Sequence, residues 1–502
     1  MIDTKAIRSK ILDLAMRGKL TEQLPEDGTA EELYQKIQAE KQKLIKAGKI
    51  KKEKALPEIT VDEMPFEIPN SWRWARLQDI TSNLTLNDGD WVLSDDMDEN
   101  GTVKLIQLGS IGDLHYNTKG FKYLTTQRFE ELNGKQIYPG YLLINRLVAD
   151  KMLLCIIPEI EGVLITAVDV CWVAPQNEYY DIKFLMYAFA SSSMQQKVKE
   201  VGYGVTRFRI SKTNLISIPF PFPPLAEQHR IVEKIEQAFS VLDTIDALQA
   251  KYADNLIVLK SKLIDAAIQG KLTEQLPEDS TAEELYQQIQ TEKQALIKSG
   301  KIKKEKPLPE IEADEIPFEI PPNWKWVKTG EIFSVGTGLT PLTSERSFYE
   351  NGHIPWVTSS LTSNRYIQDS ATYLSEYALE ATSLRLHPEH TLIIAMYGEG
   401  KTRGQIAELL IPATTNQACA TLDNIIYNQE TVDYVFFFFT YNYVQLRSKA
   451  DGSNQPNLNL NKIKETLIPL PPLAEQKRIV VRLNELLAVC DEMGAASTQR
   501  ES

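Results

Sequence analysis

"PPLAEQHRIVEKI" occupies residues 223–235 and "PPLAEQKRIVVRL" occupies residues 471–483. The two phrases share nine of thirteen letters at an offset of 248 (471 minus 223), too close an agreement for chance. A second set of phrases repeats at an offset of 252 (270 minus 18). "GKLTEQLPED" stands at 18–27 and again, letter for letter, at 270–279. "TAEELYQ" follows at 29–35 and 281–287, then "KIKKEKALPEI" at 49–59 and "KIKKEKPLPEI" at 301–311. "PFEIP" appears at 65–69 and 317–321, followed by the pairs Trp72/Trp74 and Trp324/Trp326. Internal repeats dictate architecture before any local reading does. The chain is therefore two half-proteins in tandem, and the segments between the repeats, about 70–220 and 322–470, hardly resemble each other. We divide it into a repeated helical region and linker (1–66), a first variable domain (67–220), a central repeated helical region and linker (221–318), a second variable domain (319–470) and a C-terminal helical region (471–502).

Beyond Pro224 the residues Ile231, Ile235, Ala238, Leu242, Ile245, Gln249, Tyr252, Leu256, Leu259, Leu263 and Ala266 alternate by fours and threes. That heptad seam is the mark of a coiled coil. Gly270 supplies a C-terminal stop, so a helix over 225–268 is expected, about 66 Å long at 1.5 Å per residue. Its second half maps through the repeat onto Ile7, Ile11 and Leu14, and its first half onto Ile479, Leu483, Leu486, Cys490 and Met493. The chain ends thus rebuild the central helix in two pieces. The expected fold is α+β: two mixed α/β domains separated by a pair of long antiparallel coiled-coil helices in a circular pseudo-two-fold arrangement. Thr29-x-x-Glu32 and Thr281-x-x-Glu284 read as capping boxes opening short helices that stop at Gly48 and Gly300. The basic runs 46–54 and 298–306 read as solvated linkers, with phosphate contact as the functional alternative.

A chain of 502 residues exceeds a single core, and 43% hydrophobic with 25% charged residues is ordinary for a globular protein. The most apolar run, "VFFFFTYNYV" at 435–444, is far shorter than the roughly 20 residues of a membrane span. The first residues lack the apolar core of a secretory signal, so a cytoplasmic location is expected. Cys155, Cys171, Cys419 and Cys490 form no CxxC pair, which fits free thiols and argues against a zinc site. His387 and His390, beside Pro388, read as a surface loop; no metal site is expected.

In the variable domains, strand-like runs (141–148, 390–397) mix with helix-like runs (181–201, 432–450), and each closes through a polar loop, 202–214 or 451–462, into a β-like run, "LISIP" or "TLIPL". "AMYGEGKT" at 395–402 fits a loose phosphate-loop pattern. A true phosphate loop needs a helix directly after it, and here Gly404 and Pro412 follow, so a flexible loop touching a polyanion is the better reading.

The doubled PPLAEQ-[HK]-R-I-V phrase closing two variable domains resembles the specificity subunits of type I restriction–modification systems. "LLINR" (142–146), "GTGLTP" (336–341), "IPWV" (354–357) and "NQA" (416–418) look like parts of that family's target-recognition domains. The resemblance implies a non-catalytic subunit that reads a split double-stranded DNA site, one half per domain. It implies helices that act as ruler and dock for two adenine methyltransferase subunits, to which restriction and translocase subunits add. S-adenosylmethionine, ATP and Mg are expected on those partners only, with no cofactor on this chain. Two other classes stay open: a nucleotide-binding protein using 395–402, and a coiled-coil scaffold with two protein-binding domains.

The net charge of −13 runs against DNA binding. It is concentrated outside the domains: 70–220 holds 15 Lys and Arg against 17 Asp and Glu, and 322–470 holds 11 against 14. Specific contacts then fall to a few placed side chains. The candidates are Arg146, Arg207 and Arg209 in the first domain, and Lys401, Arg403, Asn416, Gln417, Asn454 and Gln455 in the second. Arginine suits guanine edges, and Asn and Gln suit adenine edges.

Overall fold

The computed structural model describes residues 1–204, 207–398, 401–426, 428–448 and 458–498. It divides into two compact units, one holding Ile2–Gln249 and the other beginning at Ala250. The division falls at the midpoint of the central helix, Leu225–Ile268, whose bounds match the seam and its Gly270 stop. Gly270 and its counterpart Gly18 have φ of +70° and +65°. A Cβ at either would overlap a proline ring, Pro321 or Pro69, so glycine is required both for the turn and for the close approach.

In the N-terminal unit the helix Thr4–Met16 runs antiparallel to the first half of the central helix. Ile2 N–H donates to Gln249 Oε1 at 2.5 Å and Thr4 Oγ1 to Asp246 at 2.6 Å, while Arg8 reaches Asp243 at 2.8 Å. In the C-terminal unit the second half of the central helix runs antiparallel to Leu473–Thr498. Tyr252 Oη donates to the Met493 carbonyl at 3.3 Å, Lys260 pairs with Asp491, and Thr273 Oγ1 donates to Glu475 at 3.3 Å.

The seam is half as expected. Ile231, Ile235, Leu242, Ile479, Leu483 and Cys490 are buried, and Ile245 and Leu486 are half-buried. Ile7 and Leu259, however, are 39% and 40% exposed, and Ile11, Leu14, Leu256 and Leu263 are only half-buried. The buried face there is Leu12, Ala15 and Met16, repeated as Ile264, Ala267 and Ile268. The correction has a packing cause. This part of each helix also lies against its own domain's helices: Asp13 accepts from Ser192 N–H at 3.0 Å, and Ser9 and Ser192 hydroxyls meet at 2.8 Å. The apolar face therefore rotates by one residue toward the domain.

The short helices Ala30–Lys46 and Ala282–Lys298 begin at Thr29 and Thr281, whose hydroxyls accept from Glu32 and Glu284 N–H. The basic runs continue from them. Gln78 donates to the Lys54 carbonyl at 2.7 Å, and Lys328 to the Pro309 carbonyl at 2.9 Å.

The two unlike segments share one topology. In the N-terminal unit a four-stranded sheet has the order Leu86–Asp88, Val170–Val173, Leu142–Asn145, Leu154–Ile156. In the C-terminal unit Phe333–Thr337, Cys419–Asn424, Leu392–Ala395 and Ile406–Leu409 take the same order, extended by Tyr366–Ile367. A second, three-stranded sheet repeats as well. Val103–Ile106 pairs parallel with Leu164–Thr166 and antiparallel with Lys122–Leu124, and Ile354–Val357 does the same with Thr414–Thr415 and Tyr373–Leu374. A two-stranded ribbon closes each domain, Arg73–Arg76 on Pro219–Phe222 and Lys325–Lys328 on Leu467–Leu470. The helix-like runs each form two helices, Ile182–Ala190 with Ser192–Val201 and Gln429–Tyr441 with Tyr443–Ser448. The phenylalanines of 436–439 are buried core. "LISIP" is a correction: Lys212–Ser217 is helical and the strand starts at Pro219.

All four cysteines are free and buried, and burial pushes the thiols of Cys155, Cys171 and Cys419 up to about 12. Thiolate is the reactive form, so the native chain should resist iodoacetamide at pH 8 and label fully in denaturant. Rapid native labelling at these three positions would contradict the packing described.

Candidate nucleic-acid interface

The repeated phrases meet one another inside each unit. Glu227 of the first PPLAEQ phrase is buried and accepts from Trp72 Nε1 at 2.7 Å, Gln23 Nε2 at 2.8 Å and Thr21 Oγ1 at 3.1 Å. Glu475 of the second accepts from Trp324 Nε1 at 2.8 Å, Gln275 Nε2 at 2.8 Å and Thr273 Oγ1 at 3.3 Å. The next residue ties down the variable domain: Gln228 Oε1 accepts from Asp181 N–H at 3.0 Å, and Gln476 Oε1 from Thr431 Oγ1 at 2.7 Å. Two residues further on, Arg230 grips Asp27 at 2.7 Å and Arg478 grips Asp279 at 2.8 Å. Thus PPLAEQ-x-R, GKLTEQLPED and the tryptophan are parts of one lock, written twice because two domains have to be fastened. Of its repeated letters, Glu227 and Gln228, and Glu475 and Gln476, are buried.

Hydrogen bonding to the arginines holds the Asp27 and Asp279 carboxyls below the usual aspartate range. A depressed folded-state pKa stabilises above the unfolded value, near 3.9, and that contribution is lost as pH falls through the folded value. Thermal stability should therefore drop more steeply from pH 5 to pH 3 in the native chain than in Asp27→Asn. Parallel acid limbs for the two would contradict the pairing.

With each domain locked at its base, unlike loops gather at one sheet edge. In the N-terminal unit that edge carries the ends of Leu86–Asp88 and Leu142–Asn145 and the start of Val170–Val173. Arg146 lies there, but its side chain is only 11% exposed and is held internally. It pairs with Asp88 at 3.3 Å and donates to the carbonyls of Val168 and Ile210. It fastens three loops together at this edge. Arg207 and Arg209 are exposed; Arg209 lies over the Tyr203 ring, 5.4 Å from its centroid. Val148 N–H donates to the Phe208 carbonyl at 2.9 Å, which brings Arg207 to a cleft of about 660 Å³ with Asp113, His115, Asn117, Asn145 and Lys151. None of these five was singled out from sequence, because their polar letters sit among many others and only the fold brings them together.

In the C-terminal unit the equivalent edge joins the three short motifs. Leu339 N–H donates to the Thr415 carbonyl at 3.0 Å and Asn416 N–H to the Val357 carbonyl at 3.0 Å. Trp356 Nε1 donates to the Leu339 carbonyl at 3.1 Å, and Thr340 Oγ1 donates to Gln417 Oε1. Gln417 is exposed; Asn416 is half-buried and accepts from Ala418 N–H at 3.1 Å. Lys401 is exposed and Arg403 half-buried, in a turn braced by Tyr443 Oη and Arg447 on their carbonyls at 2.5 and 2.8 Å. Asn454 and Gln455 lie outside the described residues.

The phosphate-loop reading of 395–402 is overturned. Leu392–Ala395 leads through this turn into an antiparallel strand, Ile406–Leu409, with Gly404 N–H donating to the Ala395 carbonyl at 2.8 Å. No helix follows to present N–H groups to phosphate. His387 is also corrected. It is 2% exposed, with Nδ1 2.8 Å from Asp423, and it is part of the core rather than a surface loop. His390 meets Glu408 at 2.7 Å. Among the described residues no group of three or more His, Cys, Asp or Glu could hold a metal, and no helix is long and apolar enough to cross a membrane. In the C-terminal unit the basic run sits at the opposite edge: Lys301 and Ile302 line a cleft with Ser334, Asp423 and Asn424, at the far ends of the strands that carry the polar loops.

The two mixed domains have one topology, and each is locked at its base and presents different polar loops at the same edge. A family model for the type I restriction modification DNA specificity domain matches residues 69–251 and 321–499, and the chain belongs to that family. It is 27% identical to the type I restriction enzyme EcoAI specificity subunit of Escherichia coli, over 97% of this chain and 90% of that one. It is also 27% identical to the EcoEI specificity subunit of the same species, with the same coverage. The fold is similar to that of a chain solved in work on complex assembly and conformational transition of the type I R-M system, with TM-score 0.54, 17% identity, and coverage of 87% of this chain and 95% of that one.

Proposed function

We propose that this chain is the DNA-reading subunit of a type I restriction–modification complex, each domain reading one half of a split double-stranded site. The observation that carries the proposal is the contrast at the sheet edge. Behind it both domains share the order of four core strands, the three-stranded sheet, the closing ribbon and the carboxylate–tryptophan lock, while the loops in front differ in length, sequence and polar side chains. A scaffold holding two different loop sets suits an asymmetric two-part sequence. Arg207 and Arg209 on one edge and Lys401, Arg403, Asn416 and Gln417 on the other are the exposed or half-buried groups from which base and phosphate contacts are drawn, with Arg146 bracing the loops of the first domain.

Methylation and cleavage chemistry belong on this reading to partner subunits: two adenine methyltransferases with S-adenosylmethionine, and restriction subunits with ATP and Mg. The helices offer such partners apolar side chains that their own unit leaves uncovered. Val241 and Leu248 are each 60% exposed in the N-terminal unit, and Ile257 and Val489 are 68% and 51% exposed in the C-terminal unit. Exposed apolar stripes on paired helices are surfaces that further helices cover. The test is methylome sequencing of cells with and without this chain, the methyltransferase subunit being present in both. A split adenine-methylation motif that vanishes with the chain is expected; an unchanged methylome would overturn the reading.

A further inference from the structure

The polar edge also carries large apolar side chains with nothing to cover them. In the N-terminal unit the strand Leu86–Asp88 runs into Gly89, where a Cβ would overlap the carbonyls of Thr166 and Ala167. Asp90 N–H then donates to the Thr166 carbonyl at 2.8 Å. In the C-terminal unit Phe333–Thr337 runs into Gly338, where a Cβ would overlap the Thr415 carbonyl, and Leu339 N–H donates to that carbonyl at 3.0 Å. The two loops leave their sheets by the same backbone device. From this common anchor both project apolar residues outward. Trp91 is 69% and Leu93 54% exposed; Leu342, which stands four residues after its glycine as Leu93 does after Gly89, is 70% exposed. Of the chain's seven tryptophans Trp91 alone is exposed. Tryptophan is seldom left so open. Fully burying a large apolar side chain is worth roughly 1.5–3 kcal/mol, and here that stabilisation is forgone at the same place in two domains of unlike sequence.

We propose that Trp91 with Leu93, and Leu342, are base-contacting apolar residues that lie against the apolar surface of base pairs in the half-site read by their own domain. The proposal rests on the DNA-reading function above and adds the kind of contact made. The occupant follows from position. The same loop carries Thr340 beside the exposed Gln417, and in the other domain its backbone bonds to the segment that Arg146 fastens. Acidic neighbours shape the contact. Asp90 and Asp96 are held by Lys135 and Arg128, whereas Asp95, Asp98 and Glu99 face solvent. Carboxylates repel phosphates but accept from the cytosine amino group, so this loop is suited to base surfaces and not to the backbone.

The experiment uses the full chain assembled with its methyltransferase subunit, a duplex bearing the motif found by methylome sequencing, and a random-sequence duplex. Trp91→Ala should weaken binding to the motif duplex by about tenfold or more, the scale of losing the burial of one large apolar side chain, and leave random-duplex binding and thermal stability unchanged. Leu342→Ser should weaken recognition of the other half-site only. Tryptophan emission should be quenched by the motif duplex in the native complex and not in Trp91→Phe. Replacing thymine by uracil in the half-site removes the 5-methyl group. A loss equal to that of Trp91→Ala assigns the contact to the methyl, and retained binding to the uracil duplex that Trp91→Ala still lowers assigns it to another part of the base edges; both support the proposal. Equal binding by Trp91→Ala and the native complex would overturn it. So would a loss of methyltransferase assembly in that variant, which would place Trp91 against protein. If the native complex does not prefer the motif duplex at all, the DNA-reading function itself fails.

Discussion

Glu475→Leu should lower the stability of the C-terminal unit by about 3 kcal/mol, and Glu227→Leu should do the same to the N-terminal unit. Each carboxylate is buried and accepts from three donors; a leucine strands the buried tryptophan Nε1 and takes the threonine hydroxyl's acceptor, while the glutamine amide keeps the carbonyls of Gly18 and Thr21, or of Gly270 and Thr273. Stranding a buried donor costs about 1–3 kcal/mol each, partly offset because the carboxylate no longer has to be desolvated. In a unit of this size the change corresponds to a fall in melting temperature of about 6–12 °C. Glu475→Gln keeps one accepting oxygen and should lose about half as much. Calorimetry of the full chain measures both. A shift of about 1 °C or less, the range of an ordinary surface substitution, would show that the lock does not hold the domain.

The lock was legible in the sequence only as repetition. The letters repeat because Glu, Gln, Arg and Trp each make a bond that no other side chain makes at that length. Nothing in one dimension says that PPLAEQ bonds to GKLTEQLPED some 200 residues away. The central helix was legible to the residue, Leu225–Ile268, because heptad spacing and a C-terminal glycine are local signals. The seam failed at Ile7 and Leu259 because the competing face, Leu12 with Ala15 and Ile264 with Ala267, is set by the domain packed against it. That the two variable domains share a topology was hidden. Their strands are short and buried, so any combination of Val, Ile, Leu and Cys satisfies them, as "LLIN" (142–145) and "LIIA" (392–395) do. Loop residues were hardest to place. Arg146 and Arg207 look alike in sequence, yet one is spent on Asp88 and carbonyls and the other opens on a cleft.

Exchange of residues 70–220 for the matching segment of a relative tests the central claim, that each domain reads one half of the site. Glu227, Gln23 and Thr21 of the lock lie outside the exchanged segment, and the donor segment is given a tryptophan at the position of Trp72 so that the lock is kept. The measurement is methylome sequencing of cells carrying the exchanged chain with the methyltransferase subunit. One half of the methylated motif should change to that of the donor, and the half read by the C-terminal unit should stay letter for letter the same. Change in both halves, or in neither with the complex active, would contradict the account.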